Sequence, residues 1–386
     1  HVHFRTPGAE QKEDWLTGSK AALAGGVTTV FDMPNTNPPT INRQNLELKR
    51  NLVKEKSLIN YGFYAGAALD NLNEVKNFED VVAIKIYMGS STGNLLVDDL
   101  AVLEGFVSEA KPILAIHAES EACLEHTLSE FKGEFTPSIH SKLRPPRCAE
   151  EALRNILNLA LKYKKRIHIC HCSTELELKV VDEFLNRGFP KELITIEVTP
   201  HHLFLSDKIY ESLGNFARVN PPLRSESDRL AMWKGIENGL VTMIATDHAP
   251  HLKSEKEQEY LKAPSGLTGV QTMLPLLLNA VNENKLSILD IANLNSFAPA
   301  KSFNVASKGL IEVGYDADLA VIDLDKLWTI KNENIYSKCG WTPFANMNVK
   351  GRVEKTLVNG NLMFDYIDGI NDYFGDHLGS EVTFSR

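Results

Sequence analysis

A chain of 386 residues can bury a large core, so one large domain, alone or with a small companion, is expected. Hydrophobic residues make up 43% and charged residues 24%, as in ordinary globular proteins, and a net charge of -9 excludes the concentrated positive footprint of a nucleic-acid binder. The five cysteines (Cys123, Cys148, Cys170, Cys172, Cys339) are odd in number and scattered, which predicts free thiols in a reducing cytoplasm rather than a disulfide framework. No apolar run approaches the ~20 residues of a membrane span, and nothing at the start resembles a signal peptide.

The chain opens on His1-Val2-His3-Phe4, read as a strand cut at its first residue, so further residues ahead of His1 are expected. Short apolar or β-branched runs follow at 27–32 (VTTVFD), 59–65 (INYGFYA), 81–87 (VVAIKIY) and 112–117 (PILAIH). Three more lie at 166–171 (RIHICH), 193–198 (LITIEV) and 241–247 (VTMIATD), which makes eight with the first. Helical patterns fill the gaps, as at 149–161 (AEEALRNILNLAL) and 175–185 (ELELKVVDEFL). Alternation of this kind predicts a parallel sheet, and eight units within about 250 residues predict an α/β fold closed into a (β/α)8 TIM-like barrel over residues 1–300. Beyond residue 300, the stretches 309–323 and 352–360 read as short strands joined by glycine turns. Residues 301–386 are therefore expected to form a small β element of sandwich type, completed by residues ahead of His1.

Polar residues able to coordinate a metal fall at the C-terminal ends of these strands, where barrels carry their active sites. His1 and His3, two residues apart on a strand, share one face and can share one ion. Lys85 stands in an apolar strand where a bare ammonium is costly to bury. Either a carboxylate pairs with it, or carbon dioxide has added to the amine to give an anion that bridges two metals. His117, His171 and Asp247 end three further strands. Asp247, in ATDHAPH, can both bind a metal and carry a proton. Cys170 and Cys172 flank His171 without the spacing of a structural zinc site and are read as packing residues.

Taken together, HVHFR, DMPNTNPPT, IKIYMGSS, IHAES, HICHCST, EVTPHHL, RVNPPLR and ATDHAPH occur in an order that resembles the amidohydrolase superfamily and, within it, the dihydroorotases. The resemblance runs from HVHFRTPG to GYDADLAVID and GWTPFANMNVKG, nearly the whole chain. It implies two zinc ions bridged by hydroxide and by carbamylated Lys85, with His1, His3 and Asp247 on one ion and His117 and His171 on the other. It implies Asp247 as general acid and base. Arg5 and Asn35 would grip a substrate carboxylate with help from His251, and His3, Asn220, Ser265 and Gly266 would also face the substrate. Glu197 is expected beside the site, orienting a ligand. The implied reaction is the reversible cyclisation of N-carbamoyl-L-aspartate to L-dihydroorotate in pyrimidine synthesis. It needs no nucleic acid or membrane, and the resemblance implies association with aspartate transcarbamoylase.

Other cyclic amidases, allantoinase and hydantoinase (dihydropyrimidinase), share the metals and the barrel. Their substrates carry no ring carboxylate, so Arg5 and His251 favour the dihydroorotase reading. A non-catalytic relative would have lost several ligands, whereas every position is filled here. The charged stretch 253–264 has few apolar anchors and is expected to be a loop that closes over substrate.

Overall fold

The computed structural model describes residues 1–90, 95–369 and 371–385, so Ser91, which ends the IKIYMGSS stretch, lies outside the described residues. Strand β1 (Thr29–Asp32) pairs in parallel with β2 (Asn60–Phe63), which resumes past Tyr64 as β3 (Ala65–Gly66). A parallel run then continues through β4 (Ile84–Tyr87), β5 (Leu114–His117), β6 (Ile167–Ile169), β7 (Ile194–Val198) and β8 (Met243–Ile244). Val2 closes the ring by bridging in parallel to Asp32 on one side and to His248 on the other. Counting β2 and β3 as one stave, the expected barrel is complete. Every residue of β2, β4 and β5 is buried, which is why these runs are continuously apolar instead of alternating.

The strands are shorter than their apolar runs. The stretch 241–247 keeps ladder geometry only over Met243–Ile244, and 166–171 only over Ile167–Ile169. Close beyond each, Asp247 and His171 adopt φ of 43° and 36°, which takes the backbone out of the strand region.

The helices follow from local sequence. Pro146–Tyr163 starts on a proline, where no N–H is needed, and buries Ala149, Ala152, Leu153, Ile156, Leu157 and Ala160 as one stripe. Glu175–Asn186 opens with a reciprocal cap: the Thr174 side chain accepts from the Glu177 N–H, and the Glu177 carboxylate accepts from the Thr174 N–H. Arg43–Val53 sends Lys49 inward to pair with Asp32 at 2.5 Å, with both side chains fully buried. Asp32 also accepts from the Phe4 N–H at 2.7 Å, so this pair pins the HVHFR segment to β1.

Beyond the barrel, β9 (Leu319–Thr329), β10 (Asn348–Val358), β11 (Asn361–Asp365) and β12 (Tyr373–Phe374) form an antiparallel sheet in the order β12-β11-β10-β9. The strand expected at 309–323 begins only at Leu319, because the residues before it form turns and bends with Gly309 and Gly314 at positive φ. Asn282, at the end of helix Met273–Asn282, ties the sheet to the barrel by donating to the carbonyls of Leu324 and Lys350.

The expectation that all cysteines are free fails. Cys123, in helix Glu121–Glu130, and Cys148, in the first turn of Pro146–Tyr163, form a disulfide with Cα atoms 5.3 Å apart. The fold brings two helix starts together across 25 residues of chain, with the Ser120 N–H donating to the Cys148 carbonyl. Cys170, Cys172 and Cys339 are free and buried. No described helix is long and apolar enough to cross a membrane.

Candidate metal centre and substrate pocket

One cavity at the C-terminal mouth of the barrel is lined by His1, His3, Arg5, Asn35, Lys85, Tyr87, His117, His171, Asn220, Asp247, Ser265 and Gly266. Every residue expected in the site reaches this cavity except His251, which stands behind Arg5. The four imidazoles form a continuous row: ring centroids are 5.5 Å apart from His3 to His1, 5.6 Å from His1 to His171 and 4.8 Å from His171 to His117.

Three of the rings are held by a hydrogen bond on one nitrogen. His1 donates Nδ1–H to Glu197 at 2.5 Å, His3 donates Nδ1–H to the Asn35 side-chain oxygen at 2.7 Å, and His117 donates Nε2–H to Glu119 at 3.1 Å. Their other nitrogens point inward. His1 Nε2 and His3 Nε2 lie 3.2 and 3.0 Å from one oxygen of Asp247, and His117 Nδ1 lies 3.1 Å from His171 Nε2. Burial lowers His3 to about 4, lowers His117 and takes His171 well down, so these rings are neutral at pH 7. Burial alone would raise the Asp247 carboxyl, but His1 and His3 beside it hold it well below the carboxylate range. Nitrogens and a carboxylate oxygen that converge in this way fit a cation. The ligand atoms of His1, His3 and Asp247 all lie within 4.8 Å of one another.

Lys85 sits between the two groups of ligands. It is 1% exposed, and its Nζ has no hydrogen-bond partner among the described residues. No carboxylate among the described residues forms the ordinary ion pair with it, and a carboxyl group added to this amine would share the cavity with the candidate ligands.

Glu197 takes a larger part than expected. One oxygen accepts from His1 and from the His171 N–H at 3.0 Å, and the other accepts from His168 at 3.0 Å. Cys170, read above as packing, brings its thiol within 4.8 Å of His1 and Glu197. Burial raises that thiol to about 12, so it stays protonated.

Arg5 rises above this layer and donates Nε–H to the Pro250 carbonyl at 3.1 Å. Its Nη2 lies 3.2 Å from His251 Nε2. Lys12 donates to His251 Nδ1 at 3.2 Å, which leaves the ring proton on Nε2, directed at the Ser265 carbonyl at 3.1 Å. The Arg5 guanidinium thus presents a positive charge to the cavity, as an anion would require. The stretch 253–264 is anchored more firmly than its charge predicts. Lys256 is buried and donates to the carbonyls of Arg218, Pro264 and Gly266, while Tyr260 and Ala263 are buried.

Two site residues carry no assignment in the sequence reading, although their motifs are quoted there. Glu119 follows His117 by two and is itself paired with Arg144 at 2.5 Å. Tyr87 follows Lys85 by two. The i+2 spacing on a strand is the signal that points to both.

Comparison with known proteins agrees with this geometry. The chain is 41% identical over 374 residues to a protein named dihydroorotase from Methanosarcina acetivorans, covering 94% of this chain and 80% of that one. It is 39% identical to another of that name from Pyrococcus abyssi, covering 99% and 85%. Among solved structures it resembles L-hydantoinase (dihydropyrimidinase) from Arthrobacter aurescens, with TM-score 0.91 and 25% identity over 99% of this chain and 87% of that one. Dihydropyrimidinase from Brevibacillus agri aligns with TM-score 0.87 at 25% identity, covering 100% and 87%. Residues 1–363 match the amidohydrolase family, whose members are metal-dependent and generally use zinc. With its candidate ligands gathered at the mouth of a closed barrel and its sequence matched almost throughout, the chain belongs to the amidohydrolase family.

Proposed function

We propose that the protein is a dihydroorotase that interconverts N-carbamoyl-L-aspartate and L-dihydroorotate. The observation that carries the reading is Arg5, which lines the cavity with the inward-facing residues and is backed by His251 3.2 Å from its Nη2. A cyclic amide that also bears a carboxylate matches both features. Its relatives named dihydroorotase support the same substrate.

In this reading His1, His3 and Asp247 hold one zinc ion, His117 and His171 hold the second, and Lys85, carbamylated on Nζ, lies between them. When bound, the two ions supply an activated water and a polarised amide carbonyl. Asp247 accepts a proton on one face of the ring amide and returns it to the departing nitrogen; in the ring-closing direction it takes the proton from the carbamoyl nitrogen. Arg5 fixes the substrate carboxylate with His251 and Asn35, and Asn35 also holds His3 in its tautomer. Asn220, Ser265 and Gly266 border the ring, with His3 beneath it. Glu197 and Glu119 keep the imidazoles turned inward. A residence in the cytoplasm and an association with aspartate transcarbamoylase, whose product is this substrate, accompany the reading.

The fold's likeness to hydantoinases favours a second reading, a cyclic amidase for rings without a carboxylate. Hydrolysis of L-dihydroorotate and of hydantoin by the zinc-loaded protein separates the two. Turnover of dihydroorotate that rises in KM by about a hundredfold in Arg5→Met, with zinc retained, is expected from loss of a charge-assisted fork. Turnover of hydantoin alone sinks the proposal.

A further inference from the structure

Strand β4 turns two polar side chains to the same face of the barrel, Lys85 and, two residues on, Tyr87. Tyr87 lines the cavity with Arg5 and Asp247. It is 5% exposed, and its hydroxyl is buried with no hydrogen-bond partner among the described residues. A hydroxyl enclosed in that state has given up water and received nothing in return, which is uncommon in native proteins and calls for an explanation. Its described neighbours supply none: the Lys85 amine lies over the phenol ring, 5.1 Å from its centroid, and the His117 ring is tilted against it at 5.9 Å.

The spacing points to the missing partner. Arg5 and Tyr87 line the same cavity, each two residues beyond a proposed metal ligand in sequence. Arg5 already spends its Nε–H on Pro250. A hydroxyl lining the same cavity can add one donor to those that Arg5, His251 and Asn35 offer a carboxylate.

We propose that the Tyr87 hydroxyl is a specificity-determining substrate contact, donating a hydrogen bond to the ring carboxylate held by Arg5. The inference rests on the dihydroorotase reading and adds to it how L-dihydroorotate is told apart from the same ring without a carboxylate.

Tyr87→Phe removes one oxygen and keeps the ring. The measurements are zinc content, melting temperature without substrate, KM and kcat for L-dihydroorotate, and inhibition of that reaction by 5,6-dihydrouracil. Zinc is expected to be unchanged and the melting temperature equal or higher, since the deleted oxygen has no partner in the resting protein. KM is expected to rise about tenfold, the worth of one hydrogen bond to a charged acceptor, with kcat within about twofold. Inhibition by 5,6-dihydrouracil is expected to stay as it was. A lower melting temperature with unchanged KM makes the hydroxyl structural and overturns the proposal. A fall in kcat at constant KM moves it to the reacting carbonyl and overturns it too, as does a variant identical to its parent. Failure of the parent protein to act on L-dihydroorotate is a separate result: it removes the activity reading, and this contact with it, before any variant is made.

Discussion

His117 donates its Nε2–H to Glu119 at 3.1 Å and so turns Nδ1 toward His171 Nε2, also 3.1 Å away. Burial would raise the Glu119 carboxyl, but Arg144 and His117 hold it well below the usual range, so the acceptor is a carboxylate. Glu119→Gln is expected to weaken zinc binding at the His117–His171 position by about tenfold or more, the usual effect of disturbing a ligand's outer partner. Chelator competition measures this. Unchanged zinc affinity would remove Glu119 as the group that sets the ring.

One oxygen of Asp247 lies 3.2 Å from His1 Nε2 and 3.0 Å from His3 Nε2. Asp247→Asn keeps the shape and loses the proton carrier, so turnover is expected to fall by more than about a thousandfold with the circular dichroism spectrum intact. Near-normal turnover would take Asp247 out of the mechanism.

For Lys85→Ala, zinc per chain is expected to fall, and short carboxylic acids added to the buffer are expected to restore part of it by standing in for the missing bridge. Zinc analysis before and after dialysis with acetate decides the matter. A fully loaded variant in plain buffer counts against carbamylation.

A surface cluster gives a pH-dependent stability. Burial by itself would raise Asp80, yet hydrogen bonds from Arg43 and Arg50 outweigh it and bring the carboxyl from 3.8 down to about 2. The folded pKa is the lower one, so the stabilisation is present above the unfolded value and disappears as pH falls from near 4 to near 2. Melting curves of Asp80→Asn and the parent are expected to differ at pH 6 and to converge by pH 2. A gap that persists at pH 2 would mean that the charge is not the cause.

The Cys123–Cys148 bridge closes a short loop between two helix starts. Its removal in Cys148→Ser is expected to cost about 3 kcal/mol, read from denaturant melts with and without reductant on the parent. Reductant that leaves the parent's midpoint unmoved would show that the bridge contributes nothing.

The barrel was legible because its staves are apolar on both faces and its ligands recur at strand ends. His1, Lys85, His117, His171 and Asp247 could be placed by that rule before any coordinates. What escaped depends on direction or on tertiary proximity. The spacing of Cys170 fits no structural zinc site and reads as packing, but the strand ends at Ile169 and the fold brings the thiol within 4.8 Å of His1 and Glu197. Glu119 and Tyr87 look like any polar residue near a motif until burial shows one fully satisfied and the other with an idle oxygen. Cys123 and Cys148 form an ordinary pair of spaced cysteines until two helices dock. The stretch 253–264 reads as loose because its main anchor is Lys256, a charged residue held by three backbone carbonyls.

Arg5, His171 and Asp247 sit at φ of 62°, 36° and 43°. A backbone of this kind disfavours L side chains by about 1–3 kcal/mol per residue. Glycine would relax each bend and delete its chemistry at the same stroke. Breeding this protein for heat resistance alone would therefore be drawn to these three α-carbons first, and each gain there would be a step toward an inert barrel.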